Sequence, residues 1–136
     1  MWFKLASNPE VVESIYGDEI PILEGVLLHE MEFRLDGGSI ILLRFGPPNY
    51  PSKPPAKWVS RGNNTASISL QLIDVASTIL EGRGIVPQTF CDFSFKREDE
   101  SLIFEIKADN IQAKVKFGYL YIDGIVAYRG KVEQAP

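Results

Sequence analysis

One cysteine and one histidine stand in 136 residues, and each scarcity excludes a class of chemistry. With Cys91 alone, no intrachain disulfide and no cysteine-built zinc cluster can form. With His29 alone, a hydrolytic triad has a single base to draw on, and no nucleophile elbow accompanies it. Basic blocks are missing too: 14 Lys and Arg stand against 18 Asp and Glu, a net charge of −4. A phosphate backbone has nothing to track, so nucleic-acid binding is not expected, and a basic protein partner suits this balance better. The longest apolar runs, such as Gly25 to Leu28 and Ile40 to Leu43, fall far short of the ~20 residues of a membrane span, so no membrane contact is expected. The start, MWFKLASNPE, has neither a basic n-region nor an apolar h-region. It does not read as a signal peptide, and the cytoplasm is the expected compartment. Gly82-Arg83-Gly84 lacks the Gly-Lys-Ser/Thr ending of a phosphate-binding loop.

What the chain has is proline, concentrated in one place. Five of nine prolines, at 47, 48, 51, 54 and 55, lie in GPPNYPSKPPAKW, residues 46 to 58. Proline brings no N–H to a sheet ladder and fixes φ. The chain must leave a sheet here and cross the surface in an ordered loop presenting Tyr50 and Trp58.

One helix is expected, over about residues 9 to 16. Asn8 can cap it, Pro9 suits its first position and Gly17 its left-handed stop; Ser7 with Glu10 offers a competing capping box. Val11, Val12, Ile15 and Tyr16 share a face. After Pro21 the period becomes two. Leu27, His29, Met31, Phe33 and Leu35 read as one face of a strand, turned at Asp36-Gly37-Gly38 into Ile40–Phe45, a return strand apolar enough to be covered on both faces. Lys57 to Ser60 reads as a short strand, Arg61 to Asn64 as a turn, and residues 76 to 89 as irregular. Alternation returns at Ile68–Leu72, Cys91–Phe95, Leu102–Ile106 and Ile111–Phe117. The last segment, Tyr119 to Arg129, is apolar on both faces, and Asp123-Gly124 within it marks a hairpin turn or a bulge. The fold class expected is α+β, mainly antiparallel β: one short N-terminal helix on a sheet or two-sheet sandwich of seven to nine strands. Residues 1–136 form a single domain with a frayed tail from about 130.

No catalytic, cofactor or metal site emerges. His29 reads as a semi-buried histidine and Cys91 as a small buried hydrophobe among aromatics. Glu98-Asp99-Glu100 reads as a solvated turn. Tyr50 and Trp58, held on a stiff loop, are candidate binding anchors, with Arg61 beside them. Glu10, Glu13, Asp18, Glu19 and Glu24 put five carboxylates within fifteen residues, of which Asp18, Glu19 and Glu24 are candidates to face a basic partner.

In order along the chain come NPEVVESIYGDEIPILEGVLLHEMEF, a DGG hairpin into IILLRF, the PP…PPAKW loop, NTASISLQL, EGRG and IDGIVAY. SIYG at 14 to 17, PPAKW at 54 to 58 and IVAY at 125 to 128 are the most telling pieces. This pattern, over roughly residues 2 to 129, resembles the immunity protein 50 family, found beside bacterial polymorphic toxins; Arg83 stands where that family usually has Trp after Glu-Gly. The resemblance implies a non-enzymatic protein that binds a cognate toxin domain and blocks it. The alternative is a non-enzymatic β-rich module binding a ligand or another protein. The oligomeric state is left open by either reading.

Overall fold

The structure, a computed structural model, describes residues 1–130. Eight strands pair antiparallel: β1 (Val26–Arg34), β2 (Ile40–Gly46), β3 (Thr65–Ile73), β4 (Ser77–Gly82), β5 (Thr89–Glu98), β6 (Ser101–Lys107), β7 (Ile111–Phe117) and β8 (Tyr119–Tyr128). Their order in the sheet is β4-β7-β6-β5-β1-β2-β3-β8. A short 3-10 helix (Trp2–Leu5), α1 (Glu10–Tyr16) and α2 (Ala56–Ser60) complete the fold. The expected α+β, mainly antiparallel class is what the chain adopts. The tail expected to fray lies, beyond Gly130, outside the described residues.

The two halves of the sheet are joined by only three residue pairs, Val26–Cys91, Leu27–Phe90 and Leu28–Thr89. Beyond them β1 parts from β5, and the inward faces of both halves close on one core. Phe45 of β2 meets Phe93 of β5 at 5.0 Å between ring centres, and Phe93 meets Phe104 of β6 at the same distance. Ile68, Leu70 and Leu72 of β3, Val115 and Phe117 of β7, and Leu120 and Ile122 of β8 fill the rest. The N-terminal segment covers this core: Trp2 stacks on Phe95 at 5.6 Å and donates its indole N–H to the Pro21 carbonyl at 2.9 Å, while Val12 and Tyr16 bury the face of α1.

Several local expectations give way. Asn8 does not cap α1, nor does the Ser7–Glu10 box form. Pro9 takes helical φ/ψ at the helix start, and the Asn8 amide instead pairs with β8, accepting from Ile122 N–H and donating to its carbonyl, both at 2.9 Å. With Ser7 N–H donating to Leu120 O, residues 6 to 8 lie along the free edge of β8 and occupy it. Asn8→Ala is expected to cost about 1–2 kcal/mol, two lost bonds to a part-buried strand edge, read as a lower midpoint in urea. Gly17 does end α1, at φ +63°.

Lys57–Ser60 is helical rather than extended. Pro54 and Pro55 supply a fixed φ at a helix start, and Trp58 N–H closes the first turn onto the Pro55 carbonyl at 2.9 Å. Residues 77–82, read as irregular, are β4. This edge strand is mostly exposed on both faces, so it carries no alternation to read; pairing with β7 is what orders it. β2 is covered on one face only: its outward Leu42 is half-buried among Glu30, Glu32, Arg34 and Arg44, with no second layer above it among the described residues.

Two bulges decide which side chains face out. In β1, Leu28 pairs with Phe45 and Glu30 with Arg44, leaving His29 as the extra residue. Met31 therefore packs against the core and Phe33 shares its face, half exposed beyond the core, while Leu27 and His29 lie on the outer face; the single face expected for all four does not exist. In β8, Ser69 pairs with Gly124 and Leu70 with Ile122, so Asp123 is the extra residue, and its carboxylate accepts from Gln71 at 2.9 Å. The bulge keeps Tyr119, Tyr121, Val126 and Tyr128 together on the outer face.

Candidate functional site

On the outer face in the middle of the sheet, Leu27 stands between Phe90 of β5 and Gly46 of β2, its partners on either side. Gly46 has no side chain, so the face is dished there. The proline-rich loop leaves β2 directly after Gly46 and walls the dish with Pro47, Pro48 and Tyr50. Tyr128 stands on the far side, and the result is a cavity of about 210 Å³. No charged residue lines it among the described residues.

The loop is held by the segment after α1. Tyr16 donates its hydroxyl to the Asn49 carbonyl at 3.0 Å. The Asn49 side chain accepts from Ile22 N–H at 2.8 Å and donates to the Ile20 carbonyl at 2.9 Å. Glu19 accepts from Ser52 N–H at 2.9 Å and from its hydroxyl, and these bonds lower the carboxyl pKa. Tyr50 leans on Trp58 of α2 with ring centres 5.9 Å apart. Arg129 donates to the Arg61 and Gly62 carbonyls at 3.1 and 3.3 Å, satisfying the C-terminal end of α2. So a loop with no regular ladder is fixed from three sides, which is what a binding surface needs if little entropy is to be lost on docking.

The six residues expected to meet a partner separate into groups. Tyr50 and Trp58 touch, Arg61 closes the same helix, and Glu19 ties the same loop. Asp18 lies instead by a groove with Lys4 and Glu13, and Glu24 beside Trp2 and Phe93 to Arg97. Sequence reading missed Tyr128, Phe90 and the exposed Tyr119 and Tyr121. The signal for them was the doubly apolar last strand, whose bulge sorts tyrosines outward and Leu120, Ile122 and Ile125 inward.

Three polar atoms in this region are buried with no hydrogen-bond partner among the described residues: Tyr50 Oη, His29 Nε2 and Ser67 Oγ. His29 Nε2 lies 3.3 Å from where a Cβ on residue 46 would stand, so Gly46 makes room for the ring. Burial, and then the nearby Arg44 charge, hold the imidazole pKa below its ordinary 6.5. The unfolded chain therefore takes up a proton at a pH where the folded chain does not. Stability is expected to fall as pH drops below about 6.5 and to level off once folded His29 also protonates. His29→Gln should flatten that limb in melting curves taken between about pH 7.5 and 5.5. Cys91, buried in β5, has its thiol pushed up to about 12 by burial and then by Asp92, which removes it as a nucleophile near neutral pH. No helix of the described residues is long and apolar enough to cross a membrane.

No curated protein and no solved structure matches the chain. The family described as Immunity protein 50 matches residues 8–128, from the asparagine that pairs with β8 to the tyrosine beside the cavity. That span takes in α1, all eight strands and the whole loop-and-cavity surface, and the chain belongs to the immunity protein 50 family.

Proposed function

We propose that this protein neutralises a cognate bacterial toxin domain by binding it one to one in the cytoplasm, without chemistry of its own. Membership of the immunity family supports the role. The observation that carries the site is the rigid aromatic surface around Gly46, built from Tyr50, Trp58, Phe90 and Tyr128 on four separate segments. Tyr and Trp on a preorganised frame are the side chains that dominate tight interfaces. The tyrosines of β8 extend the same outer face, and Arg61 and Glu19 supply a polar rim. An interface of about 1,600 Å² centred here has room for a few strong anchors. Of the rim charges, Arg61 takes part in none of the four ion pairs among the described residues, and Glu19 is held to Ser52.

The test is co-expression with the toxin domain encoded by the neighbouring gene. Rescue of growth, and a 1:1 complex recovered from lysate and identified by mass spectrometry, are the expected results. Recovery of nothing from a lysate known to contain that neighbour would overturn the reading and leave the ligand-binding module as the alternative.

A further inference from the structure

The sheet has two edges, and only one is covered. Residues 6 to 8 occupy the edge of β8, whereas no element lies beyond β4 among the described residues. β4 carries few of the features that blunt an open edge. It has no proline and no lysine, Glu81 is its only charge, and its pairing with β7 runs from Ser77 to Gly82 without a register shift. The edge is also held at both ends. Ala76 N–H donates to the Lys116 carbonyl and Arg83 N–H to the Asn110 carbonyl, each at 2.8 Å. The Arg83 bond fixes the phase of the ladder: Ile79 and Glu81 turn their backbone groups toward β7, and Thr78, Leu80 and Gly82 turn theirs outward, away from any strand. At its centre the edge is apolar, with Ile79 70% and Leu80 46% exposed on opposite faces. Ile85 folds over Gly82, in the space a Cβ would take, and lengthens the apolar strip next to Leu80.

We infer that β4 pairs antiparallel with β4 of a second copy of this chain, about a two-fold axis at Leu80, joining two sheets into one. The backbone phase selects this register. Only with Leu80 opposite Leu80 do all the outward residues of each copy meet outward residues of the other, Thr78 lying opposite Gly82. The side chains fit it. Ile79 lies opposite Glu81 of the second copy and Ser77 opposite its Arg83, so no like charges face each other. Lys114 pairs with Ile79 from the β7 side and enters no ion pair among the described residues. It stands two strand spacings, about 10 Å, from Glu81 of the second copy, and the two long side chains can close over the exposed isoleucine. The two-fold axis repeats this contact. So short an edge buries less than the ~1,200 Å² of a standard interface, so the pairing is weak and follows concentration. β7 and β6 separate β4 from the strands that carry the Gly46 surface. Both copies therefore keep that surface free, and a toxin complex built on the dimer is two to two.

Analytical ultracentrifugation of the full chain tests this between about 10 μM and about 1 mM, the range in which interfaces below standard size associate. The mass is expected to rise from 15.2 kDa toward twice that value. Leu80→Lys and Leu80→Glu each set like charges face to face at the two-fold axis and should stay monomeric. An equimolar mixture of the two sets opposite charges there and should regain the dimer. Leu80→Pro removes an N–H that the β4–β7 ladder does not use and should also stay monomeric. Leu80 is half exposed, so melting curves close to the parent's are expected and confirm that each variant folds. Amide hydrogen exchange reads the phase: Thr78, Leu80 and Gly82 should slow as concentration rises, while Ile79 and Glu81 stay protected throughout. A single-chain mass up to about 1 mM, or a dimer that Leu80→Lys and Leu80→Pro both leave intact, would overturn the inference. Protection of Thr78, Leu80 and Gly82 that appears only on adding the toxin domain would assign the edge to a toxin strand and equally overturn it.

Discussion

Phe45→Ala is expected to cost about 3–5 kcal/mol and to leave the protein close to unfolded at ordinary temperature. Phe45 is fully buried in β2, edge-on to Phe93 of β5 at 5.0 Å and to Trp2 of the N-terminal segment at 6.2 Å. It joins both halves of a sheet whose ladder connection is three residue pairs long, and it receives the covering segment as well. Its loss opens a cavity that neither half can close alone. Urea denaturation reads the change as a lower midpoint. The control is Tyr121→Ala, on the outer face, expected within about 0.5 kcal/mol of the parent. A Phe45→Ala midpoint no lower than the control would show that the halves are not held by a common core.

Trp58→Ala and Tyr50→Ala should each weaken toxin binding by about 2 kcal/mol, roughly 30-fold, and do so mainly through a faster off-rate. The two rings support one another at 5.9 Å, so the double substitution should cost less than the sum. Arg61→Ala and Glu19→Ala, at the rim, should act less strongly and show more dependence on salt. Asp18→Ala and Glu24→Ala are expected to stay within about tenfold, because each lies on another surface. Surface plasmon resonance against the purified toxin domain measures all six, with melting temperatures taken alongside to separate lost contacts from lost fold. Unchanged affinity after alanine at all six positions would remove this surface from the interface.

Much of the fold was legible because its signals are local. β7 alternates strictly between core and water, and β5 and β6 alternate over much of their length, with Ile103 buried on the second face of β6, so period two appears in the residues themselves. Gly17 and the Asp36-Gly37-Gly38 turn are local backbone demands. β4 was not legible, since a strand exposed on both faces has no reason to alternate. The position of the bulge in β1 was not legible either. Whether His29 is an extra residue depends on the register of β2 against β1, a relation between segments that no single run of residues records.

The candidate site divides along the same line. Proline density alone located the loop, because a missing N–H and a fixed φ forbid a strand whatever surrounds them. Tyr50 and Trp58 followed as residues that such a loop must present. The cavity required more: a glycine paired beside Leu27 on the outer face, two bulges that set which side chains face out, and aromatic residues from segments far apart in the chain brought to one rim. Composition and periodicity thus determined a small antiparallel β protein with a stiff loop and no catalytic centre to suggest. Only the tertiary structure decided which face is dished and aromatic. Strand register sets side-chain facing, and register is fixed by packing between strands rather than within them.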